Sequence, residues 1–392
     1  MRVLANDGLD SEGVKLFEQA GIEIDVEKKD PEELVRTIAE YDGLIVRSRT
    51  GVTRELIEAG RSRLKVIGRA GVGYDNIDVQ AASDNGVVVK FAPHGNTNST
   101  AELALTLMMS VSRNVPQAHT CLKNSVWNKK QFRGAELSGK VLGIIGCGRI
   151  GQRLAQLVRG FDMKVIGCDL NPRSDSRIEY MSKEEVLEKA DYISIHAGGT
   201  SELIGNSELK RMKPTAYLIN ASRGVNVNED ALYAALEKGE IAGAGLDTYA
   251  DEPKTEGQEF TKKFRDLDSV VLSSHLGAST HEAQIKTGIE TAEVVIGFLT
   301  TGNWHNALNV GEEVDVREKP TWPVFIFHRD KPGVFAHLDN IFAEHGINIR
   351  EISGRRFSDR DTATAVYMIE GKPDEDLLKA LEHIPDVFCV KR

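Results

Sequence analysis

Gly146-Cys-Gly148-Arg-Ile-Gly151 follows the apolar run Val141-Leu-Gly-Ile-Ile and opens the amphipathic stretch Gln152-Arg-Leu-Ala-Gln-Leu-Val. Glycines at this spacing permit a tight turn, close approach of the backbone to a pyrophosphate and close packing of helix on strand. The helix N-terminus adds N–H donors and the positive end of its dipole. A glycine pattern alone is a weak signal, and here the context decides. A second strand candidate, Lys164-Val-Ile-Gly-Cys, leads into Asp169, eighteen residues beyond Gly151, where an acid accepts hydrogen bonds from the adenosine ribose. The same charge repels a 2′-phosphate, so the expected cofactor is NAD rather than NADP, although Arg173 works against that preference. The stretch therefore reads as the start of a Rossmann domain.

Outward from this point, short β-branched runs alternate with longer amphipathic stretches, the sequence form of βαβ units. One series runs through Arg2-Val-Leu-Ala, Ile22-Glu-Ile-Asp-Val, Gly43-Leu-Ile-Val, Leu64-Lys-Val-Ile and Gly86-Val-Val-Val. A second runs from Val141 through Lys164, Tyr192, Ala216 and Gly243 to Val270, a six-strand Rossmann count. Long helix candidates near 98–118, with Ser or Thr to cap the first, and near 280–300 bracket the second series. The expected architecture is α/β. A Rossmann cofactor domain (98–280) is inserted in a flavodoxin-like substrate domain (1–97 with 281–310), then come a linker (311–320) and a βαββαβ unit (321–392).

Three loops at the carboxyl ends of later strands carry the chemistry: Asn220-Ala-Ser-Arg223, Gly245-Leu-Asp247-Thr-Tyr-Ala-Asp-Glu252 and Ser274-His275-Leu-Gly-Ala. Ligands of open α/β sheets bind at that edge. Oxidising a 2-hydroxy acid takes a base for the hydroxyl proton, a cation for the carboxylate and a nicotinamide for the hydride. His275 is the expected acid or base. Glu252 would hold its ring and favour imidazolium, while Arg223 clamps the carboxylate.

With these segments the chain resembles the D-isomer-specific 2-hydroxyacid dehydrogenase family over residues 1–310, including Gly68-Arg-Ala-Gly-Val-Gly-Tyr-Asp-Asn-Ile-Asp78. The resemblance implies that the backbone of Gly71, Val72 and Gly73 faces substrate and nicotinamide. It further implies NAD contacts from Val72, Arg149, Ile150, Asp169, Ala197, Ala221, Ser222, Arg223, Asp247 and the loop of His275, Gly277 and Ala278. His196-Ala-Gly-Gly199 departs from the family's His-x-Pro, so the pocket wall there is expected to differ. Arg47-Ser48, with Arg69, Lys130 and Arg133, is the expected phosphate site; Arg47-Ser48 is similar to an Arg-Ser pair in members acting on phosphoglycerate. The reaction implied is oxidation of 3-phosphoglycerate to 3-phosphohydroxypyruvate with NAD in serine biosynthesis. The alternatives are reduction of glyoxylate or hydroxypyruvate by the same residues, and a corepressor-like NAD-sensing binding protein.

The tail, Val324-Phe-Ile-Phe-His328-Arg-Asp330-Lys-Pro-Gly333-Val and later Gly346-Ile-Asn348-Ile, resembles the ACT domain, a ferredoxin-like ligand-sensing module. In serine-regulated relatives the effector is held at positions matching His328, Asp330 and Asn348, although some relatives have Asn where this chain has Asp330. Such modules pair side by side, so a homodimer or homotetramer is expected.

Of the 392 residues 41% are hydrophobic and 28% charged, with a net charge of -10, which argues against general attraction to nucleic acid or anionic lipid. No run approaches a membrane span and the first residues lack a secretory pattern, so the expected location is cytoplasmic. Cys121, Cys147, Cys168 and Cys389 lack paired spacing or nearby His, so no metal site or disulfide framework is expected, and the thiols are expected to be buried.

Overall fold

The computed structural model describes residues 1–173, 177–199, 201–253, 257–301, 303–309, 321–356 and 362–391. They fall into two compact units, 1–310 and 311–392. The linker expected at 311–320 lies outside the described residues.

In the first unit, strands β1 (Arg2–Ala5), β2 (Glu23–Asp25), β3 (Gly43–Val46), β4 (Val66–Arg69) and β5 (Val88–Phe91) form a parallel sheet in the order β2-β1-β3-β4-β5. This is the flavodoxin-like order. The helices between them begin where Asp10, Asp30, Thr53 and Asp78 each accept a first-turn N–H, satisfying donors that a helix start otherwise leaves unpaired.

A second parallel sheet comprises β6 (Val141–Ile145), β7 (Lys164–Cys168), β8 (Glu179–Tyr180), β9 (Tyr192–Ile195), β10 (Tyr217–Asn220), β11 (Gly243–Leu246) and β12 (Val270–Leu272). Its order, β12-β11-β10-β9-β6-β7-β8, reverses between β6 and β9, the switch point where ligands of such sheets bind. There are seven strands rather than the expected six, because the two residues of β8 pair with β7 and are too few to leave a pattern.

The helix expected over 98–118 is two helices, Thr97–Arg113 and Val115–Lys123. Asn114 between them is left-handed (φ 51°), and Pro116 lacks the N–H that a continuous helix would use. The first helix begins after Asn96 with no side-chain cap, not with the expected Ser or Thr. It packs on β10, β11 and β12, whereas His281–Thr301 returns to β4 and β5 of the first sheet.

The second unit contains β13 (Thr321–Arg329), β14 (Ile349–Arg356), β15 (Thr362–Glu370) and β16 (Val387–Lys391), antiparallel in the order β14-β15-β13-β16. With helices Val334–Glu344 and Glu375–Glu382 this gives βαββαβ. β15 buries every second residue, and Ala365, Tyr367 and Ile369 join Leu338, Phe342, Leu377 and Leu381 in one core.

Only Cys147 among the four cysteines is buried; Cys121, Cys168 and Cys389 are half-buried, which corrects the expectation for those three. Burial pushes the Cys147 thiol up to about 12 and Cys168 to about 11. No group of three or more His, Cys, Asp or Glu among the described residues could hold a metal ion. No described helix is long and apolar enough to cross a membrane.

The chain returns to the first sheet through a buried cation. Lys90 in β5 is wholly buried, and its Nζ donates to the carbonyls of Asn303 and His305 at 2.7 and 2.5 Å. Lys90→Met is expected to leave both carbonyls without that donor and to lower stability by roughly 1–3 kcal/mol. Denaturant unfolding followed by tryptophan fluorescence checks this, since Trp304 lies between the two carbonyls.

Candidate active site

The glycine turn after β6 is shaped for a phosphate. Gly146 has φ +89°, and a Cβ on it would overlap the Ala197 backbone; a Cβ on Gly151 would stand 2.6 Å from the Gly146 carbonyl oxygen. Gly148 has open space beside it and begins the helix Arg149–Leu157 without any side-chain cap. The first-turn N–H groups there lack the capping oxygen that Asp or Thr supplies to helices of the first sheet, so an anionic ligand fits. Arg149 is exposed and Ile150 half-buried on that first turn. Asp169, at the end of β7, accepts the Cys147 N–H at 2.6 Å and the Asn171 N–H at 2.8 Å, which fixes its carboxylate beside the glycine turn.

The departing segment His196-Ala-Gly-Gly199 lies against this turn. His196 shares a 2.8 Å hydrogen bond between Nε2 and Ser194 Oγ, its Nδ1 is buried without a partner, and burial pushes its pKa down to about 4. The Ala197 carbonyl accepts Asn226 Nδ2, which also donates to Ser222 Oγ. Asn226 thus ties the pocket wall to the Arg223 loop, a link between separated loops that the sequence reading missed.

At the ends of β10, β11 and β12 the three expected loops meet. Glu252 accepts the Tyr249 N–H at 3.1 Å through Oε1, and its Oε2 lies 2.7 Å from His275 Nδ1. The His275 side chain is 48% exposed, so its second nitrogen remains accessible. His275 has φ +57°, a strained conformation for a residue with a side chain. Its loop is held there by Asp247: Ser273 Oγ and Leu276 N donate to Oδ1 at 2.6 and 2.7 Å, and Gly277 N donates to Oδ2 at 3.0 Å. Asp247 is wholly buried, and in this structure its carboxylate anchors the loop. Thr100 Oγ1 donates to the Gly277 carbonyl, while the Ala278 carbonyl accepts Gln284 Nε2.

The Glu252 hydrogen bond, opposed by burial, raises the His275 pKa. Burial alone would raise Glu252, but its bonds to His275 and Tyr249 and the charge of Arg223 take it below the usual range. Ala221 is buried and Ser222 turns back on Asn220, with Ser222 N and Oγ donating to Asn220 Oδ1. Arg223 donates through Nη1 to the Ser222 carbonyl and through Nε to Asp75 Oδ2, both at 2.9 Å.

Arg47 and Arg223 lie close enough to Arg69 to depress it. Burial, then the charges of Arg223 and Arg47, take Arg69 down to about 10, and its Nε is buried without a partner. Gly71 (φ +140°) presses on Arg69: a Cβ there would stand 2.5 Å from Nη1, and Val72 and Gly73 follow half-buried. Ser48 is exposed beside Arg47. Lys130 and Arg133 are exposed on the loop after Val115–Lys123, and no contact joins them to the arginines among the described residues.

The expected effector residues are not brought together within one chain. His328 is buried, with Nδ1 toward the Arg329 carbonyl at 2.8 Å and Nε2 unpartnered, and Asp330 follows it past the end of β13. Asn348 donates to Glu370, which pairs in register with Thr321 at the opposite end of β13. Parallel placement of β13 and β14 puts a strand's length between them.

The family profile described as D-isomer specific 2-hydroxyacid dehydrogenase, NAD binding domain, matches residues 105–277, and the ACT domain profile matches 324–386. A hydroxypyruvate reductase of Thermotoga maritima is 40% identical over 299 residues, covering 75% of this chain and 97% of that enzyme. The D-3-phosphoglycerate dehydrogenase of Synechocystis is 40% identical over 327 residues, covering 81% of this chain but 58% of that protein's length. A solved acyclic imino acid reductase, in complex with NADPH and D-Arg, superposes with a TM-score of 0.71 at 30% identity, over 79% of this chain and all of that one. The chain belongs to the D-isomer-specific 2-hydroxyacid dehydrogenase family. Its Rossmann sheet carries the family's NAD-binding domain, and its second unit is an ACT domain.

Because the Glu252 bond raises the His275 pKa, the protonated ring persists to higher pH than an unpaired histidine allows. With His275 taken as the acid and base, keto-acid reduction by Glu252→Gln, drawing on the protonated ring, is expected to fall away at lower pH. The rise of hydroxy-acid oxidation, which needs the neutral ring, shifts to lower pH as well. Parallel pH profiles of kcat/KM in both directions check the sign.

Proposed function

We propose that the protein oxidises 3-phosphoglycerate to 3-phosphohydroxypyruvate with NAD, in serine biosynthesis. The observation that carries this is the partly buried cluster of Arg47, Arg69 and Arg223 beside the His275–Glu252 pair, three guanidinium charges that Asp7 and Asp75 offset only in part. In this reading residues 1–97 with 281–310 bind substrate, 98–280 bind NAD and 321–392 are regulatory. Bound NAD supplies the acceptor for the hydride leaving C2. Arg223 holds the substrate carboxylate by charge-assisted hydrogen bonds, and Arg47 with Arg69 faces the phosphate. The accessible Nε2 of His275 takes the hydroxyl proton, and the Glu252 carboxylate stabilises the imidazolium that results. Asp169 would accept hydrogen bonds from the ribose hydroxyls, and the glycine turn would hold the pyrophosphate.

Reduction of hydroxypyruvate or glyoxylate uses the same pair and Arg223 without the phosphate-facing arginines, and the relative covered over 97% of its length keeps that reading in view. Serine or another amino acid is the proposed effector. Since His328 and Asp330 lie a strand's length from Asn348, a single effector reaches both only where two copies of the second unit meet, which supports a homodimer or homotetramer.

Purified protein assayed with NADH is expected to favour 3-phosphohydroxypyruvate over hydroxypyruvate, glyoxylate and pyruvate in kcat/KM, and Arg47→Ala to remove most of that preference. A wild type that prefers hydroxypyruvate would sink the phosphate assignment while leaving the dehydrogenase. His275→Gln is expected to lose about 10²- to 10⁴-fold in turnover, with NADH affinity by fluorescence titration unchanged.

A further inference from the structure

Asp75 lies in the loop that follows β4, and the loop is fixed next to it. Asn76 Nδ2 donates to the carbonyls of Arg47 and Thr50 at 2.8 and 2.6 Å, and the Asn76 carbonyl accepts the Val52 N–H. The Asp75 side chain is 53% exposed and reaches 148 residues along the chain to Arg223 Nε. Two acids face Arg69, Asp7 and Asp75. Asp7 is engaged by the Arg47 N–H and by the N–H and hydroxyl of Thr50. Among the described residues Asp75 has Arg223 as its ion-pair partner and no hydrogen bond to the backbone.

Arg223 turns one edge of its guanidinium to this loop. Nη1 is engaged by the Ser222 carbonyl, Nε by Asp75, and Nη2 stands where a Cβ on Gly73 would overlap it. A guanidinium binds a carboxylate best through two parallel N–H bonds from one edge. The Nε and Nη2 edge is such a fork, and Asp75 occupies half of it.

We infer that Asp75 is a stand-in for the substrate carboxylate: it holds the place on Arg223 that the substrate's own carboxylate takes, and an arriving anion displaces it. The inference rests on the reading of Arg223 as the carboxylate clamp. Asp75 then sets anion affinity through Arg223 and takes no part in the chemistry. It lowers the free energy of the empty enzyme without lowering that of the complex or the transition state. Removing it therefore raises kcat/KM and lowers KM while kcat stays constant, a split that a loss of structure does not produce.

The test compares full-length wild type, Asp75→Asn, Asp75→Ala, Arg223→Gln and the Asp75→Asn/Arg223→Gln double variant. The readouts are calorimetric titration of the NADH-loaded protein with oxalate and steady-state reduction of 3-phosphohydroxypyruvate. Both Asp75 variants are expected to bind oxalate about two- to fivefold more tightly, the scale of an exposed ion pair. KM should fall by a similar factor with kcat within about twofold. Arg223→Gln should lose oxalate binding, and the double variant should bind no better than it. Equal or weaker binding by the Asp75 variants, with Arg223→Gln still losing oxalate, overturns the stand-in alone. Oxalate binding that survives in Arg223→Gln, or is absent from the wild type, overturns the clamp and the stand-in together.

Discussion

The buried carboxylate of Asp247 is the constraint on which the rest of the site depends. A lone charge removed from water is costly, and this one is balanced by a hydroxyl and two backbone N–H groups, all from the segment after β12. Those bonds hold the backbone of His275 in its left-handed turn, a conformation that costs on the order of 1–3 kcal/mol for a residue with a side chain. The turn sets the imidazole against Glu252. Thr100 ties the same segment to the helix Thr97–Arg113, so a single anion couples two strand ends and a crossing helix. Beneath the neighbouring loop, Glu229 accepts the Ala250 N–H and pairs with Lys262, bracing the segment that carries Glu252.

What was legible in the sequence was what a short piece of chain determines. Gly146, Gly148 and Gly151, the strand before them and Asp169 after them are local, and strand alternation showed both parallel sheets. Arg223, Glu252 and His275 follow strands of one parallel sheet, so their convergence follows from topology rather than from side-chain detail. The contact of Asp75 with Arg223 depends on how one half of the first unit faces the other, and no local spacing encodes it. The signal that was available was an acid two residues from Gly73 in a loop already marked as facing substrate. The break at Asn114 is a local feature read past, because the apolar period continues through Pro116. Asn348 was grouped with His328 and Asp330 by resemblance to serine-regulated relatives, and such a match does not say whether the residues meet within one chain; the helix between β13 and β14 carries the chain back to the starting end of the sheet.

The charge distribution shows why a bulk value says little about a site. The chain carries a net charge of -10, yet its crevice holds three neighbouring arginines, one depressed to about 10. Mutual repulsion of partly desolvated guanidiniums is a cost that a bound anion relieves, and the effect is stronger there than on the surface because screening is weaker. An acidic exterior with a cationic cleft also disfavours large polyanions while admitting small ones.

The first sheet is interrupted in the chain and completed only after a long detour. The helix that covers β4 and β5, His281–Thr301, and the segment that seals the edge of β5 through Leu308 N and Asn309 Oδ1, follow the entire seven-stranded sheet. During synthesis at about 5–20 residues per second, the stretch from residue 97 to 281 takes roughly 10–40 s to emerge. For that time the apolar face of β4 and the open edge of β5 wait uncovered on the nascent chain, while the inserted sheet can already close on itself. The order of completion is thus the reverse of the order of synthesis: the inserted half can close first, and the half begun at Met1 is finished last.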